Sequence, residues 1–195
     1  MNSKKERTRE YILEVSYGLF AKKGFNALTM KDICEETGLS RGGLYSHFPG
    51  TKEIFEAILE KLNQKDAMNF YEEMERGIAA TQILDDALAL LENEMNHAED
   101  SLSLAMYEYV GGNKEGLMQH YNRLGEEKWA TLIKYGISRG EFKDVNIDEI
   151  VNIILYVYQG VRMWSRIVEI TPETVKAIIL HIRRQLIKDS SDNGI

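Results

Sequence analysis

The sequence predicts an all-α fold, with three short helices at the amino end followed by a larger helical body. Three observations predict it. Only two prolines interrupt the 195 residues, and the 15 glycines fall mostly between stretches whose apolar residues recur every three or four positions. Helix-start and helix-stop signals bracket those stretches repeatedly. A composition of 44% hydrophobic and 28% charged residues belongs to a globular chain with a packed core and excludes disorder, collagen-like repeats and a coiled rod. The length suits one substantial core, or a small module fused to a larger one.

The first periodic segment spans Thr8 to Lys23, with Ile12, Val15, Leu19 and Phe20 on one face. Lys22 and Lys23 complement the carboxyl end of its dipole, Gly24 offers a left-handed cap and Phe25 the apolar contact that follows one. A hydroxyl at Thr29 and an acid at Asp32 form a capping box, so a second helix starts there, buries Met30, Ile33 and Cys34, and stops at Gly38. Ser40 caps a third, from Arg41 to about Phe48, which Pro49 and Gly50 end.

Two helices joined by the turn Gly38 to Arg41 make a helix-turn-helix, whose second helix can enter a major groove. Gly42 and Gly43 each cost roughly 1 kcal/mol inside a helix, a cost explained if the bare backbone lies close to a partner. Arg41, Tyr45, Ser46 and His47 surround that surface with donors, while Leu44 and Phe48 anchor inward. Charge agrees. The net −7 divides into +2 over residues 1–50, from eight basic and six acidic side chains, and −9 over the rest. A basic head on an acidic body is expected when only the head approaches phosphates.

The run Gly24-Phe25, Thr29 to Ile33, Gly38 to Phe48 and Lys52-Glu53 resembles the amino-terminal domain of TetR-family transcriptional regulators over about 45 residues. The resemblance implies a dimeric, all-helical repressor, with residues 1–50 as the DNA-binding domain on a palindromic operator and residues 51–195 as the ligand-binding and dimerisation domain. It carries Thr29, Lys31 and Lys52 over as phosphate contacts, Arg41, Gly42 and Gly43 as the base-facing start of the recognition helix after Ser40, and Tyr45 and His47 as backbone contacts. Four steps separate Phe48 from Lys52, one more than the family commonly has.

A fourth helix begins near Thr51 and carries Ile54, Phe55, Ile58, Leu59 and Leu62 at helical spacing. Others follow at about Thr81 to Ala98, Ser101 to Val110 and Gly116 to Arg139, with Gly111-Gly112-Asn113 and Gly140 as breaks; the polar tail Lys188 to Ile195 reads as frayed. Asn146 with Glu149 caps a helix running through Trp164, and Thr171-Pro172 starts the last, lined by Val175, Ile178, Ile179, Ile182 and Leu186. The resemblance implies that these last two helices pair with their copies in a homodimer, which presents two half-sites about one helical turn apart.

Aromatic and sulfur side chains of the body, Phe70, Met95, Met106, Tyr107, Tyr109, Tyr121, Trp129, Tyr135, Tyr156 and Trp164, suit a small apolar or aromatic effector, and equally suit an ordinary helical core. Cys34 is structural, and no metal or cofactor motif occurs. With one cysteine, no leader-like start and no run of about 18 apolar residues, the chain reads as cytoplasmic and free of membrane spans. Two other readings stand beside the effector-controlled regulator. A protein partner can replace the effector, or the body can be a helical enzyme, which His97, His120 and His181 do not support because they lack triad or metal spacing.

Overall fold

A computed structural model describes residues 3–64, 70–112 and 116–187. Among these the chain forms α1 (Lys4–Lys23), α2 (Met30–Thr37), α3 (Arg41–Tyr45), α4 (Thr51–Gln64), α5 (Phe70–Glu75), α6 (Ala80–Asn96), α7 (Ser103–Gly112), α8 (Gly116–Ser138), α9 (Ile147–Trp164) and α10 (Pro172–Leu186). An all-α architecture is therefore what the sequence folds into, with one isolated bridge between Phe142 and Ile187 among the described residues.

Local chemistry explains several helix ends. Thr29 accepts the Asp32 N–H, Asn146 accepts the Glu149 N–H and Thr171 accepts the Thr174 N–H, so α2, α9 and α10 begin where their caps stand. Helix α1 starts a turn earlier than Thr8, because Ser3 accepts the Glu6 N–H at 3.2 Å while the Glu6 carboxylate accepts the Ser3 N–H at 2.6 Å. Gly38 takes the left-handed conformation expected of it. Gly24 does not: its φ of 79° and ψ of −178° lie in a region open essentially to glycine alone. Helix α3 ends at Tyr45, and the N–H groups of His47 and Phe48 both close back on the Leu44 carbonyl.

In the body, α7 runs through Gly111 and Gly112 instead of breaking there, held by the buried Ala105 and Tyr109 on its inner face. Asn113 and the tail 188–195 lie outside the described residues. The short α5 leaves no signal in the sequence, since six residues carry too little periodicity to register.

The chain divides into two compact units, Met1–Ala67 with Glu99–Lys114, and Met68–Ala98 with Glu115–Ile195. This division departs from a boundary at residue 50. Helix α4 gives Ile54, Phe55 and Ile58 to the core that Ile12, Phe20, Ile33, Leu44 and Phe48 build, each side chain contributing about 1.5–3 kcal/mol by leaving water. Helix α7 joins the same unit, and its Tyr109 ring meets Phe25 edge-on at 4.9 Å and Phe55 at 5.2 Å. The other unit packs α6, α8, α9 and α10 around Leu84, Leu88, Trp129, Leu132, Ile154 and Val175. There Gly136 leaves the space that the buried Phe142 ring fills.

Candidate nucleic-acid interface and effector residues

Helix α3 is a short platform fixed from below and open above. Leu44 and Phe48 are buried and anchor it. Ser40 caps it by accepting the Gly43 N–H at 3.1 Å, and the Ser46 hydroxyl donates to the Gly43 carbonyl at 2.7 Å. Over Gly42 the surface is bare, for a Cβ placed there meets nothing within 4 Å. Arg41 and Tyr45 stand exposed beside it, the guanidinium 5.9 Å from the ring centroid, so a flat cation and a phenol flank an accessible stretch of backbone.

His47 is half-buried, and its Nδ1 is buried without a hydrogen-bond partner. Lys52, on the first turn of α4, is exposed and 3.9 Å from Glu56. Lys31 is the more open cation, its side chain 84% accessible and 3.6 Å from Glu35. Thr29 is already engaged: its hydroxyl accepts the Asp32 N–H and donates to the Asp32 carboxylate. The Lys23 ammonium at 2.6 Å, then the Thr29 hydroxyl and N–H, hold the Asp32 carboxyl well below the usual carboxylate range. That pair ties the end of α1 to the start of α2.

Arg9 completes the platform, and sequence reasoning missed it. Its guanidinium lies 4.0 Å from the Phe48 ring centroid and donates to the His47 carbonyl at 3.4 Å, so α1 supports the far end of the recognition segment. A faint signal exists, because position 9 precedes Leu13 by one turn and so stands at the edge of the buried stripe, where an arginine stem can lie along apolar neighbours while its head stays exposed.

The candidate effector residues separate. Phe70 and Trp129 meet edge to face at 5.3 Å in the core that also holds Met95, and the Tyr135 hydroxyl donates to the Ile78 carbonyl at 2.9 Å. Tyr109 belongs instead to the aromatic cluster of the other unit, where it donates to Glu56 at 2.5 Å. Met106 and Tyr121 are half-buried, whereas Tyr107, Tyr156 and Trp164 are exposed at 70%, 66% and 57% in the single chain. Among the described residues no cluster of three metal-binding side chains forms, and no helix is long and apolar enough to cross a membrane.

Residues 12–58 match the family model of bacterial regulatory proteins of the tetR family, a match that covers α2, α3 and the start of α4 but begins after Arg9. Over 152 residues the chain is 31% identical to the HTH-type transcriptional regulator YfiR of Bacillus subtilis, covering 72% of this chain and 71% of that one. The chain belongs to the TetR family. It is accordingly a DNA-binding transcriptional regulator, not an enzyme. Another relative, the HTH-type transcriptional repressor KstR2 of Rhodococcus jostii, is 25% identical over 152 residues, 75% of this chain and 74% of the relative. The fold matches the TetR-family regulator of Agrobacterium tumefaciens with a TM-score of 0.79 at 16% identity, over 94% of this chain and all of the other. TetR-family regulators usually bind operator DNA as dimers that respond to small molecules.

Proposed function

We propose that this TetR-family chain is a cytoplasmic repressor that binds a palindromic operator as a homodimer and leaves it when a small effector with an apolar body occupies the larger unit. One observation carries the reading: α3 is capped, anchored and bare at Gly42, with Arg41 and Tyr45 exposed on either side. In this reading Arg41 reads base edges, Gly42 and Gly43 let the backbone approach them, and Tyr45, Ser46, His47, Lys31, Thr29 and Lys52 serve the phosphates. Arg9 holds the platform in register. Phe70, Met95 and Trp129 are the side chains of the larger unit best suited to an apolar effector, because they already group in its core.

Selection of bound fragments from random duplex DNA tests the reading. Two inverted half-sites, centred about 10 base pairs apart or a multiple of that, are expected. Arg41→Ala should change the selected base at a fixed position in each half-site and cost about 1–3 kcal/mol per lost contact. Lys52→Ala should weaken all duplexes alike and flatten the salt dependence. An unchanged preference in Arg41→Ala removes the base-reading role.

A further inference from the structure

Within the larger unit, three polar side chains line up between α6 and α9. The Arg162 Nη1 donates to the Tyr158 hydroxyl oxygen at 2.5 Å, the Tyr158 hydroxyl donates to the Glu94 carboxylate, and the guanidinium rests 4.6 Å from the Tyr158 ring centroid. All three residues are half-buried. They stand at the margin of the apolar core, since Leu91 and Met95 flank Glu94 on α6, and Ile154 and Val161 lie one turn to either side of Tyr158 on α9.

The line is incomplete at its cationic end. Arg162 forms no ion pair with any described carboxylate, and its Nε is buried without an acceptor. Of its five N–H donors, one meets a neutral phenol. Glu94 reaches it only through that phenol. A guanidinium drawn partly out of water bears a desolvation cost that a neutral partner does not offset, whereas a carboxylate accepting two parallel N–H bonds would offset it. Lys23, Lys31, Lys52, Lys61, Arg139 and Arg183 each stand within 4 Å of an acid, whereas Arg162, at the margin of the apolar core, has none in contact among the described residues.

We propose that Arg162 is the anion-binding group of a site for an organic carboxylate, with Tyr158 orienting the guanidinium and the adjoining apolar core receiving the rest of the molecule. The inference rests on the effector reading only for its consequence at the operator. Binding itself stands apart from it. Glu94 acts against the ligand's charge, so it limits affinity while holding Tyr158 in place.

The test uses the full-length protein and three matched pairs: octanoate with 1-octanol, dodecanoate with 1-dodecanol, and 2-naphthoate with 2-naphthol, each titrated calorimetrically. At least one acid should bind about tenfold or more tightly than its alcohol. Arg162→Met should erase that preference, Arg162→Lys should keep part of it, and Glu94→Gln should strengthen the acid several-fold while leaving the alcohol unchanged. Equal binding within every pair, no binding by any of the six, or a preference that survives Arg162→Met overturns the proposal. If Arg162→Met does not fold, the acid and alcohol pairs on the unaltered protein and the Glu94→Gln response still decide it. Operator release is measured alongside. An Arg162-dependent acid that leaves the operator complex intact sinks the effector reading and keeps the site; release by an alcohol alone does the reverse.

Discussion

A methyl group added at position 42 separates helix propensity from access to the duplex. Because a Cβ there meets nothing within 4 Å, Gly42→Ala should leave the fold intact and raise its stability by about 0.5–1 kcal/mol, read by urea unfolding. Operator affinity should fall at least about tenfold at the same time, since the methyl stands between backbone and groove. More stability with undiminished binding would mean that close approach is not why glycine stands there. Gly136 presents the opposite case. Its Cβ would lie 2.3 Å from the Phe142 Cδ2, and that ring is 1% exposed, so it has nowhere to go. Gly136→Ala should therefore destabilise by about 1–3 kcal/mol in chemical denaturation, with Phe142→Leu in the same chain recovering part of the loss.

At the scale of single elements, the start of α2 sets an acid limit on stability. The Asp32 carboxyl titrates below its unfolded value because of Lys23 and Thr29, so its contribution is fully present above about pH 4 and is lost as pH falls through the unfolded value toward the folded one. Asp32→Asn should lower the melting temperature at pH 7, and the gap from the unaltered protein should narrow between about pH 4 and pH 2. A gap that stays constant with pH would assign the loss to altered capping geometry instead. Signals of this kind made much of the fold legible from sequence. Caps act over three or four residues, so Thr29, Ser40, Asn146 and Thr171 mark their helices without any tertiary knowledge. Where packing overrides local preference, the sequence misleads, as at Gly111 and Gly112, which α7 carries as helix because Ala105 and Tyr109 pin it. Arg9 was hidden for a related reason, its contact with the His47 carbonyl spanning 38 residues of chain. The effector residues are the least legible, because aromatic side chains that fill a core and those that face a ligand have the same composition and period.

For the whole molecule, the unburied apolar surface of α9 and α10 has to be accounted for. Ile153, Tyr156 and Trp164 on α9 are 38%, 66% and 57% exposed, and Leu180 on α10 is 40% exposed, on helices whose opposite faces are buried by Val151, Ile154, Val175 and Ile179. A two-sided apolar pattern on adjacent elements fits a self-complementary interface, in which each residue placed by one protomer is matched by the other. Covering such side chains contributes about 25 cal/mol per Å² of apolar surface, so a charge placed among them opposes association without touching the core of the single chain. Ile153→Glu with Leu180→Glu should therefore raise the dimer dissociation constant by at least about a hundredfold, or roughly 2.7 kcal/mol, in sedimentation equilibrium, while leaving helix content unchanged by circular dichroism. The same double variant should bind a single half-site as the unaltered protein does and lose the added affinity that a second linked half-site confers. A variant that remains dimeric places the interface elsewhere, and one that is monomeric yet still prefers the full palindrome shows that two chains need not be joined before they meet on DNA.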